Sequence, residues 1–423
     1  MDARAAVTGG TRLPGGTWPP ALQPSAAMPG ATPALPPPVA IVGAGPVGAV
    51  AALALAARGV RAQVFDAREP AAGKPDRRAM ALSWGTRLAL ERLGVWARIA
   101  RPDPITRVSV SERGAFGSIE FTCEDLDTPA LGFVVDYGDL ALACSHALQA
   151  AGIPIKWKTP VASVDPVAEA VELVLAPEGE AGYRVGARCV VLADGAEGVD
   201  GGAAPSRIAR AYRQVALVGD VGCERFTPGR AFERFAGSGP LALLPRSGHF
   251  SCVWIVEPEV AQDLLDAGPA ALARALEQAA GPGFGAMRWL TAPVRVPLAL
   301  RRAGRAADPR VVPIGNASQM LHPVAGQGFN LGVRDALGLA SAWPLGDPPV
   351  TAQGDALARS LAAFARSRRV DRGLTVAATD AIARLTAIDN PVAAALRGFG
   401  LAAIDVLPAV RRRALDTLVF GAS

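Results

Sequence analysis

The stretch Val39-Ala-Ile-Val-Gly43-Ala44-Gly45-Pro46-Val47-Gly48 constrains this chain most: an apolar run leads straight into a G-x-G-x-x-G loop. The run, the glycine turn and the alanine-rich segment to Ala57 predict a buried strand, a tight turn and a buried helix. Gly43 permits the turn, Gly45 lets the backbone approach a pyrophosphate, and Gly48 lets helix and strand pack closely. The helix start then offers free N–H groups and the positive end of its dipole to phosphate. Asp66 ends the next apolar run, 18 residues after Gly48, where an acid reaches ribose hydroxyls. The spacing predicts a dinucleotide site and does not choose between NAD and FAD. Taken alone, Asp66 is also an ordinary turn residue at a strand end. Val39–Ala57 is 19 uncharged residues, long enough to span a membrane. Pro46 and three glycines interrupt it, so strand–turn–helix is the better reading.

With 423 residues, two domains are expected. A hydrophobic share of 50% against 19% charged excludes a disordered chain. The net charge of +5 comes from scattered arginines and favours anionic partners, but no stretch interleaves basic and aromatic residues as nucleic-acid binders do. Five separated cysteines and three histidines show no metal-ligand spacing, so no metal is expected. They point to a reducing, cytoplasmic setting. Residues 1–38 hold nine prolines and read as a disordered extension or a start-site artefact.

Further elements follow from local pattern. Ser83 caps a helix to Leu93. Strands are expected near 107–112, 117–122, within 155–192, and across 212–256. Helices are expected at 139–150, 258–280 and 328–341, and the remainder reads as mostly helical. The order β-α-β, then a β-rich middle, then strand-loop-helix predicts an α/β protein. Its doubly wound, Rossmann-like sheet carries an inserted β-sheet domain. Asp194-Gly195 follows the apolar strand Cys189–Leu192; it reads either as a carboxylate for a cofactor ribityl or pyrophosphate group or as a plain Asp-Gly turn. A second constellation runs from Val311 through Gly315-Asn316 and His322-Pro323 to Gly326-Gln327-Gly328-Phe329-Asn330. It is a strand, a Gly/Pro loop and a helix start, which can stabilise negative charge on a cofactor ring.

These stretches together resemble the FAD-dependent aromatic hydroxylases, most closely the ubiquinone-biosynthesis hydroxylases. Gly315–Gly332 matches the FAD loop of that subfamily. Arg77-Arg78-Ala-Met-Ala-Leu82, Tyr212-x-Gln214, Gly229–Phe235 and Gly239–Pro245 also match. Asn316 stands where an Asp is common, Asp66 where a Glu is common, and Asp136-Tyr137 where Glu-Asn is usual.

The resemblance implies a p-hydroxybenzoate-hydroxylase-like fold. An FAD-binding domain is expected from 39–105, 137–200 and 299–360, a substrate domain from 106–136 and 201–298, and a helical region from 361–423. The implied cofactor residues are the 43–48 loop, Asp66, Arg78, Val161, Asp194, Gly195, Gly315, Asn316, Pro323 and Gly326–Asn330. Phe235, Leu243 and Leu244 are pocket candidates, equally readable as sheet core. His322 is a weak catalytic candidate. The implied reaction uses NAD(P)H as a transient co-substrate and O2, and passes an electrophilic hydroxyl from a flavin hydroperoxide to a polyprenylated phenol, 2-polyprenyl-6-methoxyphenol. A flavin oxidoreductase with another substrate and a non-catalytic FAD-holding scaffold remain alternatives. Partners in a quinone-synthesis complex are expected. So is peripheral contact with the inner membrane face, for which Leu396–Phe420 with Arg411, Arg412 and Arg413 is a candidate. The same segment also reads as a packed helix with solvated arginines.

Overall fold

The computed structural model describes residues 39–69, 76–113, 118–168, 170–195, 198–236, 239–304, 306–320, 326–344, 354–386 and 407–421. The expectation for residues 1–38 lies outside them, as do those for His322 and Pro323.

A five-stranded parallel sheet lies at the centre of the N-terminal architecture. Its strands are β1 (Val39–Val42), β2 (Ala62–Phe65), β8 (Ile155–Lys156), β12 (Cys189–Leu192) and β19 (Val311–Pro313), in the order β19-β12-β1-β2-β8. β1 and β12 are buried at every position, because both faces of the sheet are covered. On one face, Val39 and Ile41 pack against α1 (Pro46–Ala56), α3 (Tyr137–Ala150) and α6 (Gln327–Ala342). On the other, Ala40 and Val42 meet Val164, Leu173 and Leu175. These belong to an antiparallel sheet of β9 (Val161–Pro166), β10 (Val171–Leu175) and β11 (Tyr183–Ala187). The uncharged run 39–57 is therefore a strand, a turn and a helix. Among the described residues no helix is long and apolar enough to cross a membrane.

The second architecture is an antiparallel-rich sheet. It contains β5 (Arg107–Glu112), β6 (Ser118–Thr122), β13 (Arg207–Cys223), β14 (Arg230–Ala236), β15 (Gly239–Arg246), β16 (His249–Val256), β17 (Met287–Trp289), β18 (Val294–Ala303) and β20 (Gln319–Met320). Helices α4 (Pro258–Asp266) and α5 (Pro269–Ala280) cover one of its faces, burying Leu217, Leu241, Leu243, Cys252 and Trp254. A small sheet joins the two architectures: β3 (Ala79–Ser83), β7 (Gly132–Asp136) and β4 (Asp103–Ile105), in the order β3-β7-β4. β7 thus pairs with β3 and β4 and not with the large sheet, although 106–136 was assigned to one unit from the sequence. Helix α2 (Trp84–Arg92) starts where expected: the Ser83 hydroxyl accepts the Thr86 N–H.

The C-terminal part contributes α7 (Gly354–Thr386) and α8 (Pro408–Phe420). Leu415 and Val419 of α8 are buried against Ile119, Phe121 and Leu131. Arg411 donates to the Glu120 carbonyl at 2.6 Å and pairs with Asp125 at 2.9 Å. This face of the basic helix is therefore used in packing.

Candidate active site

The turn between β1 and α1 depends on close approach. Gly43 has φ +103°, and a Cβ on it would lie 2.4 Å from the Ala193 carbonyl oxygen. A Cβ on Gly48 would lie 2.0 Å from the Gly43 carbonyl oxygen. Only glycine allows the helix to sit this near the turn. Gly45 caps α1 and Pro46 opens it; no side chain caps the helix and no acid lies in its first turn. The N–H of Ala49 bonds back to Gly45, so the N–H groups ahead of it are those a helix start offers to an anion. Asp66 at the end of β2 is fixed beside the loop. Its Oδ2 accepts the Ala44 N–H at 2.7 Å and its Oδ1 the Arg68 N–H at 2.8 Å.

Other sequence candidates converge on the same loop. Asp194-Gly195 follows β12, and a Cβ on Gly43 would lie 3.0 Å from the Asp194 nitrogen. Gly195 takes φ +82°, so the pair is a left-handed turn in geometry while standing against the loop. The Thr159 N–H donates to the Asp66 carbonyl, which brings the start of β9 beside the end of β2. Val161 there is half-buried and packs into the core under the sheet. The Arg78 guanidinium lies 4.5 Å from the Tyr137 ring centroid and pairs with Asp76 at 2.6 Å. That pairing holds the Asp76 carboxyl below its usual range, and burial pushes the Tyr137 hydroxyl up. The Tyr137 oxygen is 3.7 Å from the point a Gly45 Cβ would occupy, so Arg78 and Tyr137 border the phosphate loop.

The second glycine loop presses on the first. A Cβ on Gly332 would lie 2.8 Å from Val47 and 3.2 Å from the Gly315 Cα. Gly315 has φ +56°, and Asn316 beside it is exposed. Beneath them lies a fully buried carboxylate that the sequence reading missed. Asp335 accepts the Gly315 N–H at 3.3 Å and a Gln319 N–H at 3.3 Å, and pairs with Arg368 at 2.9 Å and Arg372 at 3.0 Å. Further along, Gly326 caps α6 with φ +58°. Asn330 is buried; it accepts the Ser83 N–H at 2.9 Å and donates to the carbonyls of Ala81 at 3.1 Å and Gly326 at 3.2 Å. This ties β3, and Arg78 just ahead of it, to the start of α6. Gln327 and Gly328 are half-buried, and Phe329 anchors the helix in the core.

The three pocket candidates do not share a face. Successive strand residues alternate sides. Leu243 points into the core under α4 and α5, where it also lines a cavity with Phe232, Leu241 and Phe284. Leu244 packs on the opposite face with Ala79, Ile105, Val134 and Ala231, next to β3. Phe235 lies on that same face by alternation from Ala231, two steps along β14. Between them stands Glu233, paired in register with Ala242 on β15 and Val110 on β5. Beyond Ala242 the row continues through Val253 and Val218 to Val294. Val294 and Val296 are 62% and 40% exposed, which leaves an apolar wall open on this side.

The same cleft holds a second charged group not foreseen from sequence. Arg246, nine-tenths buried, donates to the Arg77 carbonyl at 2.9 Å and pairs with Asp136 at 2.6 Å and Asp220 at 3.2 Å. Burial pushes the Asp136 carboxyl up, against the opposing charge of Arg246. The signal was available: Arg246 directly follows the matched stretch Gly239–Pro245.

The loops therefore fit a dinucleotide cofactor: a glycine cradle, a ribose-side carboxylate, and a second glycine loop against the first. A family model described as an FAD binding domain matches residues 37–369. Ubiquinone hydroxylase UbiL of Rhodospirillum rubrum is 31% identical over 404 residues, covering 90% of each chain. The 3-demethoxyubiquinol 3-hydroxylase of Escherichia coli is 30% identical over 306 residues, 70% of this chain and 77% of that one. Among solved structures, p-nitrophenol 4-monooxygenase PnpA from Pseudomonas putida shares the fold with TM-score 0.71 at 19% identity, covering 91% of this chain and 98% of that one.

Proposed function

The chain belongs to the FAD-binding-domain family of FAD-dependent aromatic monooxygenases, and from that premise we propose that it hydroxylates the ring of a polyprenylated phenol, 2-polyprenyl-6-methoxyphenol, in ubiquinone biosynthesis. The carrying observation is the similarity to a ubiquinone hydroxylase, 31% identity over 90% of both chains. The apolar wall of Ala242, Val253, Val218 and Val294 supports a substrate with a hydrocarbon tail.

The chemistry FAD supplies when bound is acceptance of reducing equivalents from NAD(P)H and activation of O2. The chain's own residues hold, orient and enclose. The 43–48 loop and the start of α1 would hold the pyrophosphate, and Asp66 would hold a ribose. Arg78 and the start of α6, tied to β3 by Asn330, would hold the ring portion of the cofactor.

Contact with a membrane surface is part of the proposal. Leu407, Val410 and Leu418 of the α8 region are 52%, 46% and 38% exposed, beside exposed Arg412 and Arg413. Co-flotation with anionic vesicles tests this contact, and partner proteins of a quinone-synthesis complex would be sought by cross-linking.

The deciding experiment is the quinone profile of lipid extracts from a strain lacking the gene. Accumulation of a polyprenyl-methoxyphenol with loss of ubiquinone, reversed by the gene, is the expected result. A normal profile in a strain with no second hydroxylase overturns the assignment.

A further inference from the structure

Glu233 is an anomaly in its surroundings. It sits mid-strand in β14, between Phe235 and Ala231, and Ala231 packs with Ala79 of β3. Its cross-strand neighbours are Ala242 and Val110, both apolar. No described residue hydrogen-bonds or ion-pairs with its carboxyl. Its residue is half-buried. A buried carboxyl without a partner is destabilising, and an apolar residue or Gln of similar shape avoids that penalty. A group held this way, on the sheet face that Ala231 presents to β3, is a candidate for chemistry.

We propose that Glu233 is the residue that accepts the phenolic hydroxyl of the substrate in a hydrogen bond and takes its proton during ring hydroxylation. This rests on the phenol reading above and assigns the group that recognises the ring.

Geometry and charge agree with that role. Burial alone pushes the Glu233 carboxyl up to about 7, the range in which a general base works best at neutral pH. Charged groups facing it from neighbouring elements have other partners or lie at the ends of the sheet. Arg246 on β15 is held by Asp136 on β7 and Asp220 on β13, with His249 of β16 3.7 Å from Asp220. Glu112 on β5 stands opposite Phe235, one step further along the same face. On α8, which packs against Val110, Arg411 is held by Asp125, and Arg412 and Arg413 are exposed. Arg234 and Phe232 point to the other face, toward Gly281 and Phe284.

The proton step balances. The phenolic O–H bond breaks, the proton bonds to a carboxylate oxygen of Glu233, and the electron pair stays on the phenolic oxygen. From there it raises electron density at the ring carbon that accepts the new oxygen. That carbon loses its hydrogen as a proton when aromaticity returns, and Glu233 gives up its proton as the product phenol re-forms. O2, NAD(P)H and one proton are consumed; water and NAD(P)+ are released. Glu233 supplies no electrons.

The test uses the FAD-loaded full chain and one probe, 2-methoxy-6-(3-methylbut-2-enyl)phenol. Binding, the ionisation band of the bound phenol and turnover are followed from pH 6 to pH 9 for wild type, Glu233→Gln and Glu233→Asp. The expected result is a wild-type kcat limb falling below about pH 7 and phenolate character in the bound probe. In Glu233→Gln kcat falls on the order of 100-fold, the limb disappears, KM changes little, and FAD content stays at the wild-type level. Glu233→Asp retains the limb with reduced kcat, which shows that loss in the Gln variant is not misfolding. Turnover of Glu233→Gln within a few-fold of wild type, with the same limb, overturns the role. If wild type ignores this probe but oxidises other phenols in a Glu233-dependent way, the ubiquinone reading falls and the Glu233 role stands.

Discussion

Replacing Asp335 by alanine tests how the second glycine loop is held. The side chain is fully buried and accepts from Gly315, Gln319, Arg368 and Arg372. Arg368 and Arg372 are only 12% and 17% exposed at their side chains. Each charge-assisted bond contributes about 1.5–3 kcal/mol, but the larger effect is the pair of guanidinium groups left without their shared carboxylate. Arg368 keeps Asp371 at 2.5 Å, so Arg372 bears most of the loss. Breaking a buried pair of this kind costs about 3–5 kcal/mol, and about 4 kcal/mol is expected here. Thermal unfolding of the variant should therefore fall by about 4–5 °C, taking about 2.1 cal/mol/K per residue over the 423 residues. FAD content should drop as well, because the Gly315 N–H loses its acceptor beside the cofactor loops. A double-mutant cycle with Arg372→Met should show strong non-additivity. A variant that melts within about 1 °C of wild type and keeps its FAD would refute the reasoning, since that shift corresponds to no more than about 1 kcal/mol.

Three further outcomes are expected. Gly48→Val should give protein free of FAD, because its Cβ would meet the Gly43 carbonyl at 2.0 Å, whereas Gly283→Ala, with no atom within 4 Å, should keep FAD; absorbance of the purified proteins decides it. Glu233→Gln should be more stable than wild type by an amount that grows with pH. The folded carboxyl titrates near 7 and the unfolded one near 4.5, so wild-type stability is full below 4.5 and declines as pH rises to 7. The shift corresponds to about 3 kcal/mol, reduced to about 2 kcal/mol by the remaining solvent contact; equal denaturant midpoint differences at pH 4.5 and pH 8 would contradict it. Arg411→Met should free α8 from Asp125 and the Glu120 carbonyl at a cost of about 1 kcal/mol, read as faster amide exchange confined to 408–421.

Local pattern carried the cofactor half of the site. The strand, turn and helix at 39–57, the cap at Ser83 and the glycine loop at 315 each rest on residues close in sequence, so spacing reveals them. The missed groups all depend on distant partners. Arg246 meets Asp136 across 110 positions, and Asp335 meets Arg372 across 37, and nothing in either neighbourhood announces the other. Leu243 and Leu244 show a different limit. Both are apolar strand residues, but the two-residue period sends one into the helix-covered core and the other toward the cleft. Glu233 was visible inside the matched stretch Gly229–Phe235; what the sequence lacked was the face on which it lies.

The order of strands in the parallel sheet has a consequence for how the chain is made. β1 is central, with β12 on one side, and β19 closes that edge. β1 emerges from the ribosome first, β12 follows about 150 residues later, and β19 about 270 residues later. At about 5–20 residues per second, β1 waits roughly 8–30 s for its neighbour and the edge stays open for roughly 14–55 s. Until β12 arrives, Val39–Val42 pairs with β2 on one side only and presents its other edge, apolar and unpaired, as a template for another nascent chain. Yield of the folded flavoprotein should thus depend on translation speed and on chaperones that shield this segment, more than on the stability of the finished molecule.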